Sequence, residues 1–99
     1  MKLTAEKNGA ALTVRLSGEL NTLTAPELSA LLKKELDGMK ALTLDFKECD
    51  YVSSAGLRVL LSTFKQMKAS KGSMELANVG ENFLDVLRNT GLNAVFGVL

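Results

Sequence analysis

The segment Asp50-Tyr51-Val52-Ser53-Ser54-Ala55-Gly56-Leu57-Arg58-Val59-Leu60-Leu61 sets two adjacent hydroxyls between an apolar run and an amphipathic one. Residues Ala41 to Phe46 read as a strand. Leu57, Leu60, Leu61, Phe64 and Met67 then fall at helical spacing, with Arg58, Ser62 and Lys65 on the opposite face. Ser53 and Ser54 thus stand at a helix start, where backbone N–H groups lack partners and the macrodipole is positive. Two chemistries suit a serine there. Its oxygen can cap the helix, or its hydroxyl can carry a phosphate that the helix start receives well. On the residues alone both readings stay open.

Other chemistry is easier to remove. The chain has no histidine, which excludes Ser-His and Cys-His nucleophilic catalysis and leaves a metal only carboxylates and one thiol. Ser54 is not in a Gly-x-Ser-x-Gly elbow. Lys47 precedes the loop and Lys65 lies three turns down the helix, so neither has a route to a Ser–Lys dyad. Gly56, Gly72 and Gly80 belong to no Walker loop. Asp45, Glu48 and Asp50 cluster before the serines and read as a solvated strand end in preference to a cation site. The residues favour a binding module over an enzyme, with no cofactor and no metal. A small serine hydrolase would instead label at Ser54 with a fluorophosphonate, and no labelling is expected.

Composition bounds the partners. The 99 residues suit one domain spanning 1–99, and 46% hydrophobic content is enough for a core. Twelve basic against 11 acidic residues leave a net charge of +1, which gives no electrostatic case for nucleic acid. With no Trp, one Tyr and four scattered Phe there is no base-stacking surface either. Cys49 alone forms no internal disulfide and reads as a half-buried filler, in keeping with a reducing cytoplasm. No run reaches the roughly 18 apolar residues of a membrane helix, and the start reads as no signal peptide. Cytoplasmic localisation without membrane insertion is the expectation.

The elements that must position the serines follow from periodicity. Residues 2–7 read as a weak edge strand, turned by Asn8-Gly9 into an alternating strand on Leu12, Val14 and Leu16. Thr24, Pro26 and Glu27 form a helix start with Thr24 as N-cap and Glu27 completing a capping box. Leu28, Leu31, Leu32 and Leu36 give that helix its apolar face; Ser29 and Lys33 face solvent. The apolar strand at 41–46 reads as central, and Lys65, Lys68 and Lys71 as a solvated flank of the next helix. Ser73 to Ala77 predicts a short strand. Phe83, Leu84 and Leu87 predict a third helix closed by Asn89-Thr90-Gly91, and the apolar tail 94–99 reads as strand-like. The order ββαβαβα predicts a small single-domain α/β fold: a mixed β-sheet with helices packed mainly on one face.

Three features make the chain resemble the STAS domain, the fold of bacterial anti-sigma-factor antagonists. Gly18-Glu19-Leu20-Asn21 followed by Thr24-Ala25 resembles that family's first loop and helix start. Ser53-Ser54-Ala55-Gly56-Leu57 resembles its switch loop, usually Asp-Ser-Ser/Thr-Gly-Leu. The third helix after Ser73–Ala77, ending in Asn89-Thr90-Gly91-Leu92, fits as well. The resemblance covers nearly the whole chain. It implies a phosphoprotein of transcription regulation. Its partner would be an anti-sigma factor with serine-kinase activity, which binds the unphosphorylated domain, phosphorylates it and brings the ATP.

By position, the resemblance makes Ser54 the phosphorylation site, and Asn21, Thr22, Ser53, Ala55, Gly56, Leu57 and Arg58 the partner-binding residues. Ser53 stands where the family has aspartate, Ala55 where it has a second hydroxyl, and Asn21 where the first loop commonly has aspartate. Arg58 replaces a small residue. These exchanges remove negative charge around Ser54 and add one positive charge a turn into the helix, giving a more phosphate-tolerant loop. STAS-like domains also serve as non-catalytic subunits of transporters or stress-signalling assemblies, and that role is the rival expectation.

Overall fold

A computed structural model describes residues 1–98. Strands β1 (Lys2–Asn8) and β2 (Ala11–Ser17) form an antiparallel hairpin. Helix α1 (Ala25–Glu35) crosses to β3 (Ala41–Glu48), and α2 (Ser54–Ala69) crosses to β4 (Ser73–Ala77). Helices α3 (Glu81–Thr90) and α4 (Leu92–Val95) end the described chain. The sheet order is β1-β2-β3-β4, with β2, β3 and β4 mutually parallel, so the sheet is mixed as its sequence order predicts. At the hairpin, Gly9 takes φ +63, the left-handed conformation that its lack of a Cβ makes cheap.

Alternation along the strands explains why the helices lie on one face. Register sets Leu12 beside Leu42 and Met74, and Val14 beside Leu44 and Leu76, all buried. The intervening Thr13, Arg15, Thr43, Asp45 and Glu75 fall on the opposite, solvent-facing side. Against the apolar rows pack Leu28 and Leu32 of α1, Leu60 and Met67 of α2, and Phe83 and Leu87 of α3. The Phe46 and Phe83 rings meet at 4.8 Å and tie α3 to the sheet. On the edge strand, Lys7 falls on the helix side, and its ammonium reaches Glu35 at the end of α1 at 2.8 Å. That contact holds the Glu35 carboxyl below its ordinary range, chiefly through the hydrogen bond from Lys7.

Three expectations need correction. The tail is not a strand: residues 92–95 coil into α4, and Phe96 turns in to meet Phe64 edge-on at 5.6 Å. Gly91, at φ +77, ends α3 in a left-handed cap and redirects the chain, so that Phe96 docks on α2 and the described part of the tail adds no strand to the sheet. Residue 99 of that predicted tail lies outside the described residues. Cys49 is fully buried, not half-buried, and desolvation raises its thiol pKa so that it stays protonated near neutrality. The third correction, at Thr24, belongs to the site.

Candidate functional site

Beyond the ends of β2 and β3 the two chains stay paired for one more step. Leu20 and Val52 form an isolated parallel bridge, with the Leu20 N–H donating to the Tyr51 carbonyl (2.9 Å) and the Ser53 N–H to the Leu20 carbonyl (2.8 Å). A register shift between Arg15 and Ser17 brings the strand ends to this point. The bridge places the Asn21–Thr24 loop beside the Ser53–Leu57 turn. These are the two segments that carry most of the sequence-predicted site.

In the first loop, Asn21 and not Thr24 supplies the side-chain acceptor that turns the chain into α1. The Asn21 Oδ1 accepts from the Leu23 and Thr24 N–H groups at 3.0 and 3.1 Å, and the Asn21 carbonyl accepts from Ala25 at 2.7 Å. Thr24 holds helical backbone angles and makes no side-chain cap. Its hydroxyl turns back, donating to the Glu19 carbonyl at 2.6 Å and accepting from the Asn21 N–H at 2.8 Å. The predicted capping box is therefore absent: the Asx-type turn at Asn21 takes the Thr24 N–H from which the Glu27 side chain was expected to accept, and the Glu27 N–H donates to the Thr24 carbonyl at 2.9 Å. Only the acceptor oxygen of Asn21 is used toward the backbone, a role that an aspartate fills equally.

In the second loop, Ser53 is the N-cap of α2: its backbone is extended and its Oγ accepts from the Gly56 N–H at 3.5 Å. Ser54 is the first helical residue and is exposed. Its hydroxyl has no hydrogen-bond partner among the described residues. Gly56 is where the helix meets the bridge. A Cβ there would lie 2.8 Å from Leu20 Cγ and 2.9 Å from Val52 Cγ1, so only glycine lets α2 begin this close to it. Ala55 and Leu57 are half-buried, whereas Thr22 and Arg58 are exposed.

The structure thus gathers Asn21, Thr22, Ser53, Ser54, Ala55, Gly56 and Leu57 about one bridge, with Arg58 a turn along α2. It does not gather the carboxylates Asp45, Glu48 and Asp50 around a common point. Asp45 accepts from Asn78 Nδ2 at 2.9 Å and from the Lys47 N–H at 3.0 Å on the open sheet face. Asp50 turns to α3, accepting from Asn82 Nδ2 at 2.8 Å. Among the described residues no group of three or more acidic or sulfur ligands could hold a metal ion.

Two residues beside the serines escaped the sequence reading. Leu23 is 84% exposed and Tyr51 52% exposed, one on each of the bridged loops. Periodicity says nothing about loop residues, and an isolated exposed leucine is common. The available signal was position alone: Leu23 lies between Asn21 and Thr24.

Comparison with known proteins agrees with this geometry. Residues 2–98 match the STAS domain family. The chain is 35% identical over 99% of its length, and 85% of the relative's, to BtrV of Bordetella bronchiseptica, whose name provisionally places it among anti-sigma factor antagonists. It is 29% identical to the anti-sigma-B factor antagonist of Bacillus subtilis, covering 94% of this chain and 85% of that one. A solved structure of the Bacillus cell fate determinant SpoIIAA in its phosphorylated form superposes with a TM-score of 0.76 at 19% identity, over 94% of this chain and 86% of that one. With the mixed sheet, the bridged loops and a match over residues 2–98, the chain belongs to the STAS domain family.

Proposed function

We propose that this protein is an anti-sigma-factor antagonist, switched by phosphorylation at Ser54. Unmodified, it binds a serine-kinase anti-sigma factor through the surface formed by Asn21, Thr22, Ser53, Ala55, Gly56, Leu57 and Arg58. Binding frees the sigma factor that the kinase otherwise holds. The observation that carries this reading is the Ser54 hydroxyl, exposed at the first position of α2 and without a hydrogen-bond partner among the described residues. Relatives named as antagonists and the phosphorylated form of SpoIIAA support it.

The chain has no histidine to activate the hydroxyl, so the chemistry is the partner's and this protein is its substrate. The Ser54 Oγ attacks the γ-phosphorus of ATP held by the kinase. The bond to the β–γ bridging oxygen breaks, ADP leaves, and the hydroxyl proton passes to a base of the kinase. The product carries about −1.5 to −2 charges where a neutral hydroxyl faced the partner. A tenfold loss of affinity needs only about 1.4 kcal/mol, which the loss of one close contact supplies without a change of fold. This reading places the protein in the cytoplasm with its partner. No helix among the described residues is long and apolar enough to cross a membrane.

Incubation with the host's anti-sigma kinase and ATP, followed by phosphosite mapping, tests the proposal. Label at Ser54, absent in Ser54→Ala, is expected. A competent kinase that leaves Ser54 unlabelled overturns it.

A further inference from the structure

Between α1 and α2 runs a groove of about 420 Å³, lined by Ser29, Leu32, Lys33, Arg58, Val59 and Ser62 among others, with two cations and no carboxylate in its wall. Neither Lys33 nor Arg58 has an ion-pair partner among the described residues. Helix α2 itself carries Arg58, Lys65 and Lys68 and no acidic residue, so nothing on its own helix competes for the Arg58 guanidinium. Arg58 is also the fourth residue after Ser54, and both are exposed. At that spacing two helical side chains lie on one face with Cβ atoms roughly 5–6 Å apart, within reach of an arginine fork.

We propose that Arg58 is the receptor for the phosphate on Ser54, and that taking it up draws the guanidinium out of the α1–α2 groove. The inference rests on Ser54 being the modified residue and adds what the modification does inside this chain. A phosphoserine at the helix start offers three acceptor oxygens, and an arginine one turn on pairs with them through two parallel N–H donors. The groove then keeps Lys33 as its one lining cation. Phosphorylation thereby alters two surfaces at once: the Ser54 turn, which gains a dianion, and the groove wall, which loses a positive charge. A partner that reads Arg58 in the unmodified protein meets it already paired in the modified one.

The test needs no kinase. The full chain is made with phosphoserine incorporated at position 54 during translation, in the wild-type, Arg58→Gln and Arg58→Lys backgrounds. Phosphorus NMR titration then reads the second ionisation of the phosphate. Arg58 should lower that pKa by about 0.3–0.7 of a unit relative to Arg58→Gln, with part of the shift kept by Arg58→Lys and most of it lost in 1 M salt. Amide resonances of Ser29, Lys33 and Ser62 should move on phosphorylation in the wild type and stay in place in Arg58→Gln. Identical titration with and without Arg58 overturns the proposal, as do groove resonances that move equally in both. Because phosphate is installed at synthesis, failure of a kinase to label Ser54 leaves this measurement intact. Failure here leaves the labelling experiment equally intact.

Discussion

The Asp50 carboxylate, in the loop after β3, accepts a hydrogen bond from the side-chain amide of Asn82 in α3 at 2.8 Å. Its other oxygen faces the Phe83 N–H at 3.5 Å, in the first turn of α3. The N-cap residue of α3 is Gly80, which has no side chain to offer. Asp50 therefore supplies that helix with the side-chain cap its own N-cap residue lacks, and adds a carboxylate to that of Glu81 in the first turn. The same contact fastens the segment before Ser53 and Ser54 to a neighbouring helix. A Cβ on Gly80 would run into the Asp50 carboxylate, so glycine there makes the approach possible.

Removing this long-range cap should cost about 0.5–2 kcal/mol, the range for an N-cap. In a domain of this size each 1 kcal/mol lowers the melting temperature by about 4–8 °C. Asp50→Ala should melt accordingly earlier and speed amide exchange at the serine turn and the start of α3. Gly80→Ala should do the same by pushing the carboxylate away. Because both act on one contact, the double variant should lose less than the sum of the single losses. Strict additivity in thermal melts would show that Asp50 and Gly80 act separately.

Leu23 should matter for binding and not for folding. At 84% exposed it contributes almost nothing to the core, and its backbone N–H is held by Asn21 whatever the side chain. Leu23→Ala should change stability by less than about 0.5 kcal/mol. In calorimetric titration against the anti-sigma factor it should weaken affinity roughly tenfold, about 1.4 kcal/mol, as expected of an apolar anchor in an interface. Unchanged affinity would remove Leu23 from the binding surface.

What was legible in the sequence follows from what repeats in it. Alternation in β2 and β3 and helical spacing in α1 and α2 each report a half-buried face over several residues, and the sheet with its one-sided helices follows from them. A serine cap at the start of α2 was legible too, since a residue before a helix needs only its own side chain for it, and the structure gives that cap to Ser53. The cap expected at Thr24 fails because its hydroxyl is drawn back to the Glu19 carbonyl and the Asn21 N–H, and local composition does not show which way such a hydroxyl turns. The tail was misread because an apolar run of six residues has no period that separates strand from helix, and Gly91 decided between them through its backbone. Asp50 as the cap of α3 had no local signal at all. Its partners are set by the packing of α3 against β3 through Phe83 and Phe46.

Acid stability should report on Asp45. Its carboxyl is held below the usual carboxylate range, first by the hydrogen bond from the Asn78 amide, then by the Lys47 N–H, with Arg15 adding attraction and burial opposing. The folded state therefore favours the charged form, and an unfolded chain takes up a proton at this position more readily. The resulting stabilisation is complete above the unfolded aspartate pKa, about 3.9, and disappears as pH falls through the lower folded value. Asp45→Asn removes the titrating group while keeping an acceptor oxygen for Asn78 and Lys47. The wild type should be the more stable protein near pH 7, and the gap should close as both are melted toward about pH 3. A gap that stays constant over that range would mean that the Asp45 charge contributes nothing. The contact would then hold the Asn78 turn, whose residue sits at φ +55, through neutral hydrogen bonds alone.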